Sequence, residues 1–469
     1  METNDMEKLN ARIPAASAAV EPGAPRARGF TRMCVVLVER IMPDPFVIAI
    51  LLTMVVWVLS LAFAPRASLP QVVTSWYDGV FRIASFAFMV ALTLVTGHAL
   101  STSKPVSRLL RAIASIPSTA AGAMTLTFFV SMAGGLLNWA VGLVISALFA
   151  REVAKRVRVD FAWLVAAAYA GWSLYVCGVS SSIALLSATQ GSPMNLIEKV
   201  TGQVLPMTEF LFSPLNFIPV LVLGVAVPVV FRLMMPREDE AMVADPQRLI
   251  AEDTVETQDE APQTPAGKLD NARLLNAVLV AMGLGYIGLK LINHAFTMDL
   301  NMLVMIFLLL GLATHGTPRA YLRAINNAAR VAGPILLQFP LYGGIMGVMT
   351  ATGLADVIAQ WFIGFSNTHT LPFWSFVSST LISMFVPSAG GHWIVQAPFV
   401  VPAAHHLNVP QSAVAISVAL GEGVADMIQP MWVIPLLAIA GVGMGRVMGF
   451  TVMIFFVMFA VMGGTLLLF

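Results

Sequence analysis

The sequence predicts an all-α polytopic membrane protein made of two inverted repeats, with about nine spans and two re-entrant helical hairpins. Three observations lead there: too little charge for a water-facing surface, apolar runs long enough to cross a bilayer, and two longer apolar stretches broken by glycine and polar residues. Of 469 residues, 58% are hydrophobic and 11% charged, against about 25% charged in a soluble domain. Most of the surface must therefore face lipid. A formal net charge of +1 argues against nucleic acid as a partner, which would call for a clustered basic excess. Cys34 and Cys177 are the only cysteines, too few for a disulfide framework or a cysteine metal site. Period-2 strands are absent, which argues against an outer-membrane barrel.

Residues 1–29 are polar and rich in Ala and Pro, and are expected to form a disordered cytoplasmic tail. A span needs about 20 apolar residues. Such runs lie near 46–64, 80–100, 161–187, 212–234, 274–293, 299–314, 331–351, 411–442 and 447–469. Ala62-Phe63-Ala64 resembles a signal-peptidase box, but Pro65 follows it and the apolar run starts late, so the first run is taken as a true span. The stretches 120–149 and 371–403 are longer than one crossing needs. Their centres are polar: Gly134-Gly135-Leu136-Leu137-Asn138-Trp139 and Pro387-Ser388-Ala389-Gly390-Gly391-His392-Trp393. Backbone broken at membrane depth must be buried in protein or line a cavity. Both stretches are therefore expected to enter and leave on one side.

Basic residues set the sides. Arg26, Arg28, Arg32 and Arg40 precede the first span and place the N-terminus in the cytoplasm. Lys104, Arg108 and Arg111 precede the first hairpin, and Arg151, Lys155, Arg156 and Arg158 follow it, so both its flanks lie inside. The flanks of the second hairpin, 366–370 and 405–411, contain no Lys or Arg and are expected outside. The count closes with a periplasmic C-terminus. The expected organisation is a first repeat over 30–235, an acidic cytoplasmic linker over 236–270, an unpaired connecting helix over 271–298, and a second repeat over 299–469. Thr96-Gly97-His98-Ala99 aligns with Thr352-Gly353-Leu354-Ala355, and Asn138-Trp139 with His392-Trp393, at offsets that differ by two residues. Inverted repeats with broken helices near the midplane are a transporter design.

Ionisable residues inside spans are costly and point to function. Glu422 and Asp426 lie four apart in a run with Gly421, Gly423 and Pro430 that suggests an unwound segment. Two carboxylates in a dry site repel one another, which favours holding a proton. With free carbonyls around them, the same groups, together with Gln429, could instead hold Na⁺ through hard oxygen ligands. A structural alternative is a buried acid paired with backbone or a His. His392, beside Trp393 and Gln396 at the second hairpin tip, can donate to a carboxylate and change charge near neutral pH. Asn138 and Trp139 occupy the matching tip, where they either receive substrate or simply pack. Ser180, Ser181 and Ser182 in the other broken span, and Ser388 in the second hairpin, offer hydroxyls for a carboxylate at a half-helix N-terminus; small residues there equally allow close helix packing. No Walker motif and no HExxH is present, so neither ATP-driven transport on this chain nor zinc proteolysis is supported. No cofactor or bound metal is expected beyond H⁺ or Na⁺ as a coupling ion.

The run from Val386 to Val400, Pro43-Asp44-Pro45, Val95-Thr96-Gly97-His98-Ala99-Leu100, Asn138-Trp139-Ala140-Val141-Gly142-Leu143 and Phe149-Ala150-Arg151-Glu152-Val153-Ala154 together resemble the short-chain fatty acid transporter family. The likeness runs from about Arg32 to Phe469. It implies uptake of acetoacetate- or butyrate-like monocarboxylates by a secondary carrier of the bacterial inner membrane. It also implies kinship with the ion-transporter superfamily, whose members are typically homodimers with a hairpin-bearing domain that slides against a scaffold. The rival expectations are a dicarboxylate carrier or a cation/proton antiporter on the same scaffold and, from another class, a membrane-embedded enzyme using Glu422, Asp426 and His392 as acid–base groups.

Overall fold

A computed structural model describes residues 45–237, 241–254, 264–330, 332–429 and 431–468. The N-terminal tail, the four arginines that set its side, and Pro430 lie outside the described residues. The chain is helical. The first half contains α1 (Pro45–Phe63), α2 (Leu69–Arg82), α3 (Ala84–Ser101), α4 (Lys104–Ile113), α5 (Ala120–Leu137) and α6 (Trp139–Ala154). It continues with α7 (Phe161–Trp172), a 3₁₀ turn (Ser173–Cys177), α8 (Ser182–Ala188), α9 (Leu196–Thr201), α10 (Met207–Leu211) and α11 (Pro214–Leu233). Between the halves lie α12 (Pro246–Thr254), α13 (Pro265–Asp270) and α14 (Arg273–Ile292). The second half contains α15 (Leu300–His315), α16 (Pro318–Ala329), α17 (Gly333–Thr352), α18 (Leu354–Phe365), α19 (Leu371–Ser383), α20 (Ala389–His406), α21 (Gln411–Ala425), α22 (Val433–Ala440) and α23 (Met444–Leu468). Eight helical segments among the described residues are long and apolar enough to cross a membrane.

Burial separates centre from rim. The segment Phe161–Ala188 is 94% buried over its most apolar window, whereas Pro265–Ile292 is 11% buried, so α7 is core and α14 presents apolar surface outward. Packing partners recur between the halves: α5 lies on α7 as α19 lies on α21, α3 on α6 as α17 on α20, and α3 meets α15 and α16 as α17 meets α1 and α2.

Local chemistry explains the helix starts. Asp160 and Asp299 cap α7 and α15 by accepting from Trp163 N and Met302 N, each at 2.8 Å, which satisfies donors the helix leaves open. Asp160 also accepts from Met242 N at 2.9 Å and pairs with Arg446. One carboxylate thus ties the linker, α7 and α23 together. Glycine brings backbones close in the first hairpin, where a Cβ on Gly142 would overlap the backbone of Gly134 and Gly135.

Three sequence expectations change. The run expected over 80–100 is preceded by a separate amphipathic helix, α2, which turns into α3 at Ile83. The segment around Glu422 is not unwound: α21 is regular through Ala425 and breaks at Asp426. Gly421 and Gly423 serve packing there, since a Cβ would lie 2.6 Å from Phe376 O at the first and 2.7 Å from a Val176 methyl at the second. The second hairpin turns over 384–388, so His392 sits one turn inside α20 and not at its tip. By capping position, Asn138 corresponds to Ser388, and the alignment of Asn138-Trp139 with His392-Trp393 is one helical turn out of register.

Candidate functional site

The starts of α6, α20 and α22 meet around one crevice. Trp139 is the first residue of α6, Ala389 the first of α20, and Trp432 the residue before α22. All three line a cavity of about 10 Å³ together with Val90, Tyr175, Ser182, Ile335 and Ser388. That volume holds at most one water. The lining contains no Lys or Arg.

The two helix starts from the hairpins differ in how their donors are used. In the first hairpin, Asn138 Oδ1 accepts from Ala140 N at 2.9 Å and Val141 N at 3.0 Å, and Ser180 Oγ accepts from Trp139 N at 2.8 Å. The first turn of α6 is therefore committed. Asn138 Nδ2 and Ser181 Oγ are buried without a hydrogen-bond partner. In the second hairpin, Ser388 makes no side-chain cap, and the first internal bond runs from His392 N to Ser388 O at 2.7 Å. The leading N–H groups of α20 are left uncapped at the crevice.

Indole donors hold both tips. Trp172 Nε1 donates to Trp139 O at 2.7 Å, and Trp432 Nε1 donates to Pro387 O at 2.9 Å. The Trp139 and Trp432 rings meet edge to face with centroids 5.3 Å apart, and Trp172 stacks on Tyr175 at 4.7 Å.

His392 and Gln396, expected at the substrate, instead close on Glu422. His392 Nδ1 lies 2.6 Å from Glu422 Oε2, and His392 Nε2 lies 2.5 Å from Gln396 Oε1. Gln396 Nε2 donates to Ser375 O at 3.0 Å and Ser378 Oγ at 2.9 Å on α19. Glu422, His392 and Gln396 are all fully buried. One turn on, Asp426 Oδ1 accepts from Gln429 Nε2 at 2.7 Å, and Gln429 Oε1 accepts from Met431 N at 3.2 Å. Glu422 Oε1 and Asp426 Oδ2 have no hydrogen-bond partner. An isolated buried carboxylate is very costly when ionised, so Glu422 and Asp426 depend on His392 and Gln429 as their partners.

Of the residues singled out from sequence, Trp139, Ser182 and Ser388 line the crevice, with Asn138, Ser180 and Ser181 behind them. Glu422, Asp426, Gln429, His392 and Gln396 form the acid cluster. Trp393 is 1% exposed and lines neither. Sequence reasoning missed Val90, Tyr175, Ile335 and Trp432, because apolar and aromatic residues in apolar spans carry no contrast. Only Trp432 had a signal, since it falls in the break just after Asp426.

A family model described as short chain fatty acid transporter matches residues 27–469. A relative from Escherichia coli (strain K12), provisionally named a short-chain fatty acid transporter, is 40% identical over 417 residues, covering 88% of this chain and 93% of the relative. A relative of the same provisional name from Haemophilus influenzae is 36% identical over 424 residues, covering 90% and 95%. Two solved transporters share the fold. The Alcanivorax borkumensis YdaH transporter superposes with a TM-score of 0.57 at 16% identity, over 91% of this chain and 98% of that one. Neisseria gonorrhoeae MtrF, described with its structure as illuminating a class of antimetabolite efflux pumps, superposes with a TM-score of 0.60 at 16% identity, over 94% and 97%.

Proposed function

Because this multi-pass membrane protein belongs to the short-chain fatty acid transporter family, we propose that it imports small monocarboxylates of the acetoacetate and butyrate type by secondary transport coupled to H⁺ or Na⁺. The family and both relatives are transporters, not enzymes, so the membrane-enzyme reading falls away. The observation that carries the substrate class is the crevice. The starts of α6, α20 and α22 converge on it, and helix N-termini favour anions. Its walls are Trp, Tyr, Val and Ile side chains, suited to a short alkyl chain. With no Lys or Arg in the lining, one carboxylate is accommodated more readily than two, which disfavours a dicarboxylate.

In this reading the uncapped N–H groups of α20, Ser182, Ser388 and Asn138 Nδ2 receive the carboxylate, and Trp139, Tyr175 and Trp432 enclose the chain. Glu422, His392 and Gln396, with Asp426 and Gln429, carry the coupling ion. The two halves are inverted repeats, a reading supported by their shared element order and recurring packing partners. Both hairpins re-enter the membrane, and an elevator-type motion carries the hairpin-bearing unit against a scaffold that includes α1 and α14. The working form is a homodimer in the bacterial inner membrane, with the N-terminus cytoplasmic and the C-terminus periplasmic.

Counterflow tests the substrate class without any ion gradient. Proteoliposomes loaded with unlabelled butyrate are diluted into labelled butyrate, and flux through protein-free vesicles is subtracted. Transient accumulation of label is expected, competed by acetoacetate and propionate but not by succinate. Folded protein that gives no counterflow contradicts the reading, and competition by succinate alone replaces it with a dicarboxylate carrier.

A further inference from the structure

The orientation of one amide sets the proton count of the buried acid site. Ser375 O is a carbonyl and can only accept, so the Gln396 atom 3.0 Å from it must be the amide nitrogen. The amide oxygen therefore faces His392 Nε2 at 2.5 Å, and that ring nitrogen must carry a hydrogen. A neutral imidazole has one N–H, so Nδ1 of the neutral ring would turn a lone pair toward Glu422 Oε2, 2.6 Å away. Two bare acceptors at that distance repel. One further proton must lie between them, on nitrogen as a His⁺–Glu⁻ pair or on oxygen as a neutral acid and neutral ring.

Resting on the carrier reading above, we propose that the His392–Glu422 pair is the proton-loading site, that the coupling ion is H⁺ and not Na⁺, and that Gln396 is the positioning residue that makes the pair demand its proton. Without the Gln396 oxygen, neutral His392 could move its hydrogen to Nδ1 and satisfy the carboxylate with no added proton. Gln396 blocks that tautomer. A hard cation is poorly served here: it seeks several oxygen ligands, yet one Glu422 oxygen and the Gln396 oxygen are held by the imidazole, which leaves, of the cluster's carboxylate and amide oxygens, Glu422 Oε1 and Asp426 Oδ2 unpaired.

The groups facing the pair from neighbouring elements are few. Asp426 lies four residues on, just past the end of α21, and Tyr169 and Tyr175 face it from α7 and the 3₁₀ turn; Tyr169 Oη donates to Asp426 O at 3.0 Å. From α17, the Tyr342 ring packs on Gly391. α19 contributes only the Ser375 and Ser378 contacts. On other elements packed against α20, Asp356 of α18 is exposed, Glu198 of α9 accepts from Gly191 N, and Lys199 donates to Pro193 O. No cation among these neutralises Glu422, so the charge that does so is the proton. It enters from water on the outer side, resides on the pair, and leaves to water on the inner side. On its loss, bare Nδ1 and carboxylate cannot keep 2.6 Å, and α20 must shift against α21. His392 is the fourth residue of α20 and Ala389, at the crevice, is the first. The shift thus reaches the substrate site within one helical turn.

The test imposes an inward H⁺ or Na⁺ gradient at clamped membrane potential on vesicles already assayed for counterflow, with protein-free flux subtracted. A dye in weakly buffered lumen reports proton entry on adding butyrate. Native protein should accumulate butyrate under the H⁺ gradient, show butyrate-dependent proton entry, and ignore Na⁺. His392→Gln and Glu422→Gln, each with the helix content and apparent Tm of native protein in detergent, should lose both accumulation and proton entry. Gln396→Leu should keep coupling but lower the pH of half-maximal uptake by about one unit. Na⁺-driven accumulation, proton entry that survives His392→Gln, or an unmoved pH profile in Gln396→Leu overturns the proton assignment alone. Absence of counterflow in native protein overturns the carrier reading beneath it.

Discussion

Trp432 links two parts of the site with one side chain. Its ring forms a crevice wall against Trp139, and its N–H holds Pro387 O, just ahead of the uncapped start of α20. Trp432→Phe keeps most of the ring and removes that bond, which is worth about 1 kcal/mol. A tip held less firmly should admit a longer chain. In counterflow of labelled butyrate, inhibition by hexanoate relative to unlabelled butyrate should rise several-fold in the variant, and an unchanged ratio would contradict the assigned role. At this scale the sequence is legible where chemistry stands out from its surroundings. Glu422, Asp426 and His392 are conspicuous as ionisable groups in apolar runs, and the structure brings them together. What composition could not supply is direction: His392 and Gln396 face Glu422 and not the crevice, a choice made by the packing of α19, α20 and α21. Tyr175, Val90 and Ile335 were hidden because an apolar crevice is lined by the same residues as any core.

The two hairpins are built differently, and the difference lies in glycine. Arms α5 and α6 touch backbone to backbone at Gly134, Gly135 and Gly142, with no space for a Cβ at Gly142. Gly142→Ala should therefore behave as overpacking and cost about 1–3 kcal/mol, seen as a lower apparent Tm in detergent. Gly285→Ala on α14 meets nothing within 4 Å and serves as the control, with no loss expected. A Gly142→Ala variant as stable as the control would show that the arms separate easily. Hairpins were visible in the sequence because a polar, glycine-containing centre interrupts each apolar run. The register between them was not, because His-Trp in the second half imitates Asn-Trp in the first one turn too late. Helix starts are set by capping, and Ser388 does not cap as Asn138 does. The same limit applies to the glycines around Glu422, where close approach to Phe376 and Val176 uses residues that in isolation suggest unwinding.

For the whole molecule, segregation of burial is the main physical fact. α7 and most of α20 and α21 are shielded on all sides, while α1 and α14 expose Leu, Val and Met, as lipid-facing helices must. Composition alone made the membrane class legible, since charge at 11% cannot coat a soluble globule of this length. The amphipathic helices α2, α4, α16 and α18 escaped notice because a search for 20-residue apolar runs passes over helices with one polar face. Asp160, joined to Met242 and Arg446, also shows that part of the acidic linker is fastened to the helices, a contact no local pattern announces. The central claim is that short-chain acids cross through the crevice between the two hairpin starts. The most direct measurement is butyrate counterflow by Ser388→Cys in a background with Cys34 and Cys177 replaced by Ser, before and after a small charged thiol reagent. The account predicts that the reagent stops counterflow and that butyrate present during labelling protects against it. Counterflow that continues at full rate after stoichiometric labelling of that cysteine would place the substrate path elsewhere.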